Sequence, residues 1–337
     1  MYDVVTVGSA TRDVLIKSKD FRALKDARFK TGRALAVSLG SKIKIDDIYF
    51  LTGGAGTNTA VTFARQGFKT ACVVRVGKDA AGDAVIFGLK KEKINTDFVE
   101  KDKKTPTAYS VILEPKEGER TILAYRGANA TLSAAGLGKI QAHWIYLSSL
   151  SGDLNILKDA IAAKKKYGVH LAWNPGGADL ALGIGRLRKH LKYIDVFIVN
   201  KEEASELLGI PYGKERLIFQ KFDEIIDGVA VMTLGPDGVL ASDGHIMWRA
   251  GTFPERKVVD RTGAGDAFGS GFVAGLLRCK ITRGRSLTEG SIIEALRVGS
   301  ANATSKVEHM GAKGGLLVAR ELGVSRWNKL KIKKIIL

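Results

Sequence analysis

Short apolar runs alternate with amphipathic segments along most of this chain, and that alternation leaves few folds open. Tyr2–Val7, Ala71–Val76, His143–Ser148, Val169–Trp173, Val196–Val199 and Val229–Leu234 read as buried strands. Helical spacing follows in Ala60–Phe68, Gly82–Lys91, Asn155–Tyr167, Leu180–Leu191, Phe268–Leu276 and Ile292–Val307. Strands alternating with helices predict an α/β fold with a mostly parallel sheet covered on both faces. Gly235-Pro236-Asp237-Gly238 turns the chain into a short hairpin of Val239-Leu240 and Ile246–Trp248.

Residues 14 to 50 break the rhythm. Val14–Ile16, Ala34–Val37 and the alternating Lys42–Asp46, continuing through Asp47–Phe50, read as half-exposed strands outside the main sheet. Pro106–Leu113 and Arg120–Tyr125, joined by the polar Glu114–Glu119, read as a hairpin. Together, strands from about 14–50 and 105–126 predict a small β-sheet lid that excludes water from a substrate. With no fixed-period repeat and no low-complexity linker, residues 1–337 read as a single domain, one core plus its lid.

No apolar run reaches the roughly 18 residues of a membrane span, and the N-terminus lacks the basic and apolar regions of a signal peptide. The two cysteines, Cys72 and Cys279, make neither a disulfide framework nor a zinc site, so a cytoplasmic setting is expected. The formal charge of +18 and pI near 9.8 invite a nucleic-acid reading. The basic residues are scattered, apart from Lys164–Lys166 and Lys329–Lys334, and no nucleic-acid-reading motif accompanies them. Charge alone supports only non-specific binding, so no nucleic-acid partner is expected.

Several chemistries are excluded by their motifs. There is no Gly-x-x-x-x-Gly-Lys-Ser/Thr loop and no Gly-x-Ser-x-Gly elbow, and the five histidines lack metal-ligand spacing. The stretch Gly269–Ala274 matches the dinucleotide pattern by letter but falls inside a helix rather than between strand and helix, which argues against a dehydrogenase. What remains is a polar residue or glycine turn after strand upon strand: Asp13, Gly54 and Asn58, Asn174, Asn200 and Glu203, Thr233 and Gly235, then Gly263–Asp266. In open α/β sheets ligands gather beyond the carboxyl ends of strands. Gly263-Ala264-Gly265 at a helix start offers backbone N–H groups to an anion, and Asp266 is either a simple cap or a base beside a phosphate. Phosphoryl transfer needs positioning, charge neutralisation and a proton acceptor, which this set could supply.

Gly53-Gly54-Ala55-Gly56-Thr57-Asn58 and Asp260-Arg261-Thr262-Gly263-Ala264-Gly265-Asp266 resemble the two signatures of the PfkB/ribokinase carbohydrate kinase family. The resemblance runs in the family's order over essentially the whole chain. It implies a ribokinase-like three-layer α/β/α fold and ATP-dependent phosphoryl transfer to a hydroxymethyl group of a small sugar such as ribose. Asp13, Gly54 and Asn58 would bind acceptor hydroxyls, Asp266 would be the base, and Gly263, Ala264 and Gly265 would form the anion hole. Asn200 and Glu203 would organise Mg²⁺ through water. Thr233, Gly235 and Gly238 would line the nucleotide, with Asn302 near the adenine. Asp260 and Thr262 match positions that bind a monovalent cation, K⁺ being the candidate. A homodimer through the lid is a family-based expectation.

Departures from the pattern affect the acceptor. Arg261 stands where a small residue or proline is commoner, Asn174-Pro175-Gly176 begins with Asn rather than Asp, and Gly53–Gly56 differs from Gly-Gly-Lys-Gly. The Asp13–Gly53 segment is longer than in typical ribokinases. A nucleoside kinase of the same family is therefore the alternative. A non-catalytic member binding ligand or RNA would be expected to lack Asp266, which is present.

Overall fold

The computed structural model describes residues 1–29, 31–115, 120–134 and 137–336. Its centre is a nine-stranded sheet in which Thr70–Val73, Tyr2–Val7, Ala142–Leu147, His170–Trp173, Val196–Asn200 and Val229–Thr233 lie side by side and parallel. Val239–Ser242, Ile246–Ala250 and Ile332–Ile336 extend it antiparallel. The parallel strands are buried on both faces, as their unbroken apolar runs require. One face packs Leu147, Leu171 and Phe197 against Leu157, Leu187, Leu207 and Phe222. The other packs Trp144, Tyr146 and Ile198 against Phe272, Leu276 and Leu296 from the helices Ala264–Arg278 and Glu289–Val307.

A separate four-stranded sheet carries Thr121–Tyr125, Ala108–Glu114, Thr11–Lys17 and Asp47–Gly53 in that order. The lid strands thus come from the expected regions, with three corrections. Asp13 sits on a lid strand, paired with Leu51 and Ser110, rather than in a turn. Arg22–Lys25 and Arg33–Ala36 form their own two-stranded ribbon. Lys42–Asp46 is no strand despite its alternation. It is a loop strapped to the lid by Asp46 N–H to the Lys17 carbonyl (2.9 Å) and Ser18 Oγ to the Lys44 carbonyl (2.5 Å). In the predicted connection Glu114–Glu119, residues 116–119 lie outside the described residues.

The helix expected over Leu180–Leu191 is two, Gly177–Leu180 and Ile184–Leu191, because Gly183 between them takes the left-handed backbone. The first is anchored by Asp179, which is 1% exposed. Its carboxylate accepts from the N–H groups of Leu150 (2.9 Å), Gly152 (2.7 Å) and Gly176 (2.8 Å). Two loops at the carboxyl ends of neighbouring strands are tied to one side chain. Asp179→Ala orphans these donors and is expected to lower stability by about 3 kcal/mol in urea unfolding, since each buried unpaired group costs about 1–3 kcal/mol. A loss below about 0.5 kcal/mol, the range of ordinary surface substitutions, would show that the loops hold themselves.

Candidate active site

The helix Ala264–Arg278 starts where it does because Gly263 caps it with φ 75°, a left-handed backbone open to glycine. A Cβ there would also lie 2.9 Å from the Ala312 Cβ. The following N–H groups point along the helix axis, where the dipole favours an anion. Ala264 N–H is turned back onto the Arg261 carbonyl (3.2 Å). Among the described residues the N–H groups of Gly263, Gly265 and Asp266 have no backbone partner, so they rather than Ala264 are the free donors. No atom lies within 4 Å of where a Gly265 Cβ would be, which leaves room for a ligand.

Asp266 sits in the first turn of this helix and is half-open to the cleft. Burial among protein atoms raises its pKa, opposed by the hydrogen bond from Asn58 and by the charge of Lys313. Asn58 Nδ2 donates to Asp266 Oδ2 at 2.8 Å, joining the two glycine loops. Asn58 Oδ1 and Asp13 Oδ1 are buried without any hydrogen-bond partner. Burial likewise raises the Asp13 pKa, with the Thr11 and Ser110 hydroxyls opposing. Two buried acceptors lacking donors are costly unless something brings the donors. Hydroxyl groups would.

Gly54 has a different task from the expected one. At φ 91° it lets the loop press on the chain after the opening strand, and a Cβ would lie 2.5 Å from the Ser9 carbonyl oxygen. Gly56 likewise packs on Gly8. These glycines bring two strand-end loops together.

Asn200 and Glu203 form a reciprocal cap: Asn200 Oδ1 accepts from Glu203 N–H and Glu203 Oε2 from Asn200 N–H, both at 2.8 Å. Burial raises the Glu203 pKa, partly offset by the Asn200 N–H. Both residues line a cleft of about 230 Å³ with Asn174, Thr233, Gly263, Gly265 and Asp266. Among the described residues no three His, Cys, Asp or Glu side chains cluster as metal ligands. Glu203 and Asp266 are the carboxylates on this cleft, and Mg²⁺ takes one or two carboxylates with waters and phosphates. Thr233 and Gly265 also border a more apolar pocket of about 130 Å³, lined in addition by Gly235, Gly238, Ala264, Arg261 and Ala303. Asn302 is elsewhere: fully buried, it donates to Ala267 O (2.8 Å) and Thr62 Oγ1 (3.2 Å) and accepts from Leu317 N–H (2.9 Å). Its helix neighbours Ser300, Ala303 and Thr304 face the pocket instead.

Asp260 is the hub behind the turn. Its Oδ1 accepts from Thr262 N–H (2.8 Å) and Thr262 Oγ1 (2.6 Å), and its Oδ2 from Gly311 N–H (2.8 Å). Arg120 of the lid ion-pairs with it, and Lys306 Nζ stands 3.8 Å from Oδ2. Burial pushes the Asp260 pKa up, but Thr262, Lys306 and Gly311 outweigh it and the pKa is lowered. Asp260 and Thr262 therefore do not fit a bound monovalent cation: two of the chain's own cations already stand at that carboxylate.

Lys313, Arg120 and Lys306 went unread in the sequence. Lys313 donates to Thr52 Oγ1 (2.9 Å), and burial lowers its pKa to about 8, with Asp13 opposing. It had a signal, since it interrupts a third glycine cluster, Gly311–Gly315. Lys306 had one too, lying one helical turn beyond Asn302 on a buried face. Arg120 had none.

A mostly parallel sheet with helices on both faces, beside a small separate sheet, is the ribokinase-like fold. Residues 1–318 match the pfkB family carbohydrate kinase profile. Ribokinase of Haemophilus influenzae is 30% identical over 278 residues, 80% of this chain and 85% of that protein. Ribokinase of Arabidopsis thaliana, solved with ribose and ATP, superposes with a TM-score of 0.79 at 25% identity, covering 97% of this chain and 99% of that one. A nucleoside kinase of Burkholderia thailandensis solved with inosine shares the fold, with a TM-score of 0.75 at 16% identity, covering 96% of this chain and 97% of that one. The chain belongs to the pfkB family of carbohydrate kinases and is a phosphotransferase with an alcohol group as acceptor.

Asp266→Asn is expected to lower kcat by about 10²–10⁴-fold, the contribution of a positioned base. Its thermal midpoint at pH 7 should not fall. A raised folded pKa means the native state keeps that proton to higher pH than the unfolded chain, so ionisation at neutral pH opposes folding. Near-wild-type turnover would remove the base role.

Proposed function

We propose that this chain is an ATP-dependent sugar kinase that transfers the γ-phosphoryl group to a hydroxymethyl group of a small sugar such as ribose. The observation that carries the reading is the pair of partnerless buried acceptors, Asp13 Oδ1 and Asn58 Oδ1, beside Asp266. Sugar hydroxyls would donate to both and so leave one hydroxyl facing the Asp266 carboxylate. That carboxylate accepts the hydroxyl proton as the oxygen bonds to phosphorus and the bond to the β-phosphate bridging oxygen breaks. The Gly263 and Gly265 N–H groups stabilise the charge on the transferring group. Thr233, Gly235 and Gly238 would line the nucleotide. Mg²⁺, held through water by Glu203 and Asn200, would neutralise phosphate charge.

A nucleoside is the second acceptor class, favoured by one feature: Leu15, Leu51 and Ile112 line the lid pocket with Asp13 and offer an apolar wall to a base. A panel of ribose, fructose, 2-keto-3-deoxygluconate and adenosine with ATP separates them. Ribose should give the highest kcat/KM; adenosine leading would shift the acceptor class, and no turnover with any would refute both.

One face of the small sheet exposes Ile48, Phe50, Leu123 and Tyr125, an apolar surface that a second lid would cover in a homodimer. Sedimentation should give twice the 36.3 kDa chain mass; a strict monomer removes that assembly. Among the described residues no helix is long and apolar enough to cross a membrane, and free Cys72 and Cys279 suit a reducing, cytoplasmic setting.

The pH dependence follows from three groups. Activity should fall as pH drops through an Asp266 pKa above 3.8, because the protonated acid accepts nothing. It should fall again above about 8, where the buried Lys313 and Lys306 both lose their charge. Lys313→Met should flatten the basic limb of the kcat/KM profile, the remainder belonging to Lys306, and leave the acidic limb; a basic limb unchanged in Lys313→Met would assign it to Lys306 alone.

A further inference from the structure

Lys306 lies on the last turn of the helix Glu289–Val307 with none of its surface exposed. Lysine is almost never buried so completely unless its charge is met. Its Nζ donates to the Asp260 carbonyl at 2.5 Å and the His309 carbonyl at 3.3 Å, and stands 3.8 Å from Asp260 Oδ2. Backbone carbonyls with a carboxylate are the oxygen set that replaces the hydration shell of a monovalent cation. Here the ammonium fills it. Arg120 pairs with the other carboxylate oxygen, and like-charge repulsion at contact distance excludes a further ion.

We propose that the Lys306 ammonium is a tethered monovalent cation beside the anion-hole turn, so that neither turnover nor folding of this chain depends on added potassium. Lys306 is a positioning residue. It holds the Asp260 carbonyl, while the N–H groups of Val259 and Asp260 donate to the Val307 carbonyl at 2.8 and 3.1 Å. The Asp260 carboxylate in turn fixes Thr262, one residue before Gly263. These five hydrogen bonds therefore set where the free N–H groups of the turn point. The connection to turnover rests on the kinase reading; the cation replacement does not.

The test compares wild type, Lys306→Ala and Lys306→Met in potassium, ammonium, sodium and choline chloride at a matched ionic strength of about 0.1 M, where screening is equal. Both kcat/KM and thermal midpoint are read. Wild type should respond to all four salts alike. Lys306→Ala should lose about 10²-fold in kcat/KM, the scale of a displaced catalytic geometry, and potassium or ammonium should recover part of both readouts while choline recovers neither. Lys306→Met, neutral and of similar length, should lose activity without rescue. Wild type activated or stabilised by potassium over choline would overturn the proposal, as would a folded Lys306→Ala indifferent to cation identity. If Lys306→Ala does not fold, the wild-type series and Lys306→Met decide, and wild-type turnover in Lys306→Met contradicts the assignment. If no acceptor is turned over, the kinase reading fails, and the thermal midpoints still test the cation replacement.

Discussion

The hydrogen bond from Asn58 Nδ2 to Asp266 Oδ2, at 2.8 Å between residues 208 apart, is the contact on which the site depends. It exists only because the helices Ala55–Arg65 and Ala264–Arg278 pack together beside the opening strand. One amide then carries two tasks in the proposed reaction: its N–H holds the Asp266 carboxylate, and its free Oδ1 would accept from an acceptor hydroxyl. The same bond opposes the burial that raises the Asp266 pKa, keeping the carboxylate closer to the ionised form that catalysis needs.

Around that contact, packing and chemistry are assigned to different atoms. Gly54 and Gly56 let loop approach loop, and Gly263 lets the helix start against Ala312. The proposed chemistry would fall to Asn58, Asp266 and the free N–H groups of the turn. Behind them Asp260 gathers the turn, the Gly311 loop, the lid through Arg120 and the core helix through Lys306. The small sheet is thereby tied to the turn that starts the helix Ala264–Arg278.

The sheet was legible because its strands are buried on both faces and so read as unbroken apolar runs. The site residues at strand ends were legible for the same reason, since a turn after such a run must face the ligand edge. What escaped depends on tertiary partners. Lys42–Asp46 alternates like a strand but has no neighbouring strand to pair with, and Gly183 divides a helix whose apolar spacing continues across it. Asp13 read only as a polar residue beyond the opening strand, because nothing local shows that a second strand starts at Thr11 and belongs to the small sheet. Asn302 has the polarity of a binding group, yet its amide is spent inside the core. Lys306 and Arg120 matter only through the carboxylate they converge on, 46 and 140 residues away.

The central claim is that an acceptor hydroxyl sits where the orphaned oxygens of Asp13 and Asn58 meet the Asp266 carboxylate. A crystal structure with ribose and a non-hydrolysable ATP analogue tests it most directly. The account predicts a hydroxymethyl oxygen about 2.6–3.2 Å from an Asp266 carboxylate oxygen, the reach of a working base, with ring hydroxyls donating to Asp13 Oδ1 and Asn58 Oδ1. A sugar bound elsewhere, or one that leaves both oxygens without a donor, would contradict it.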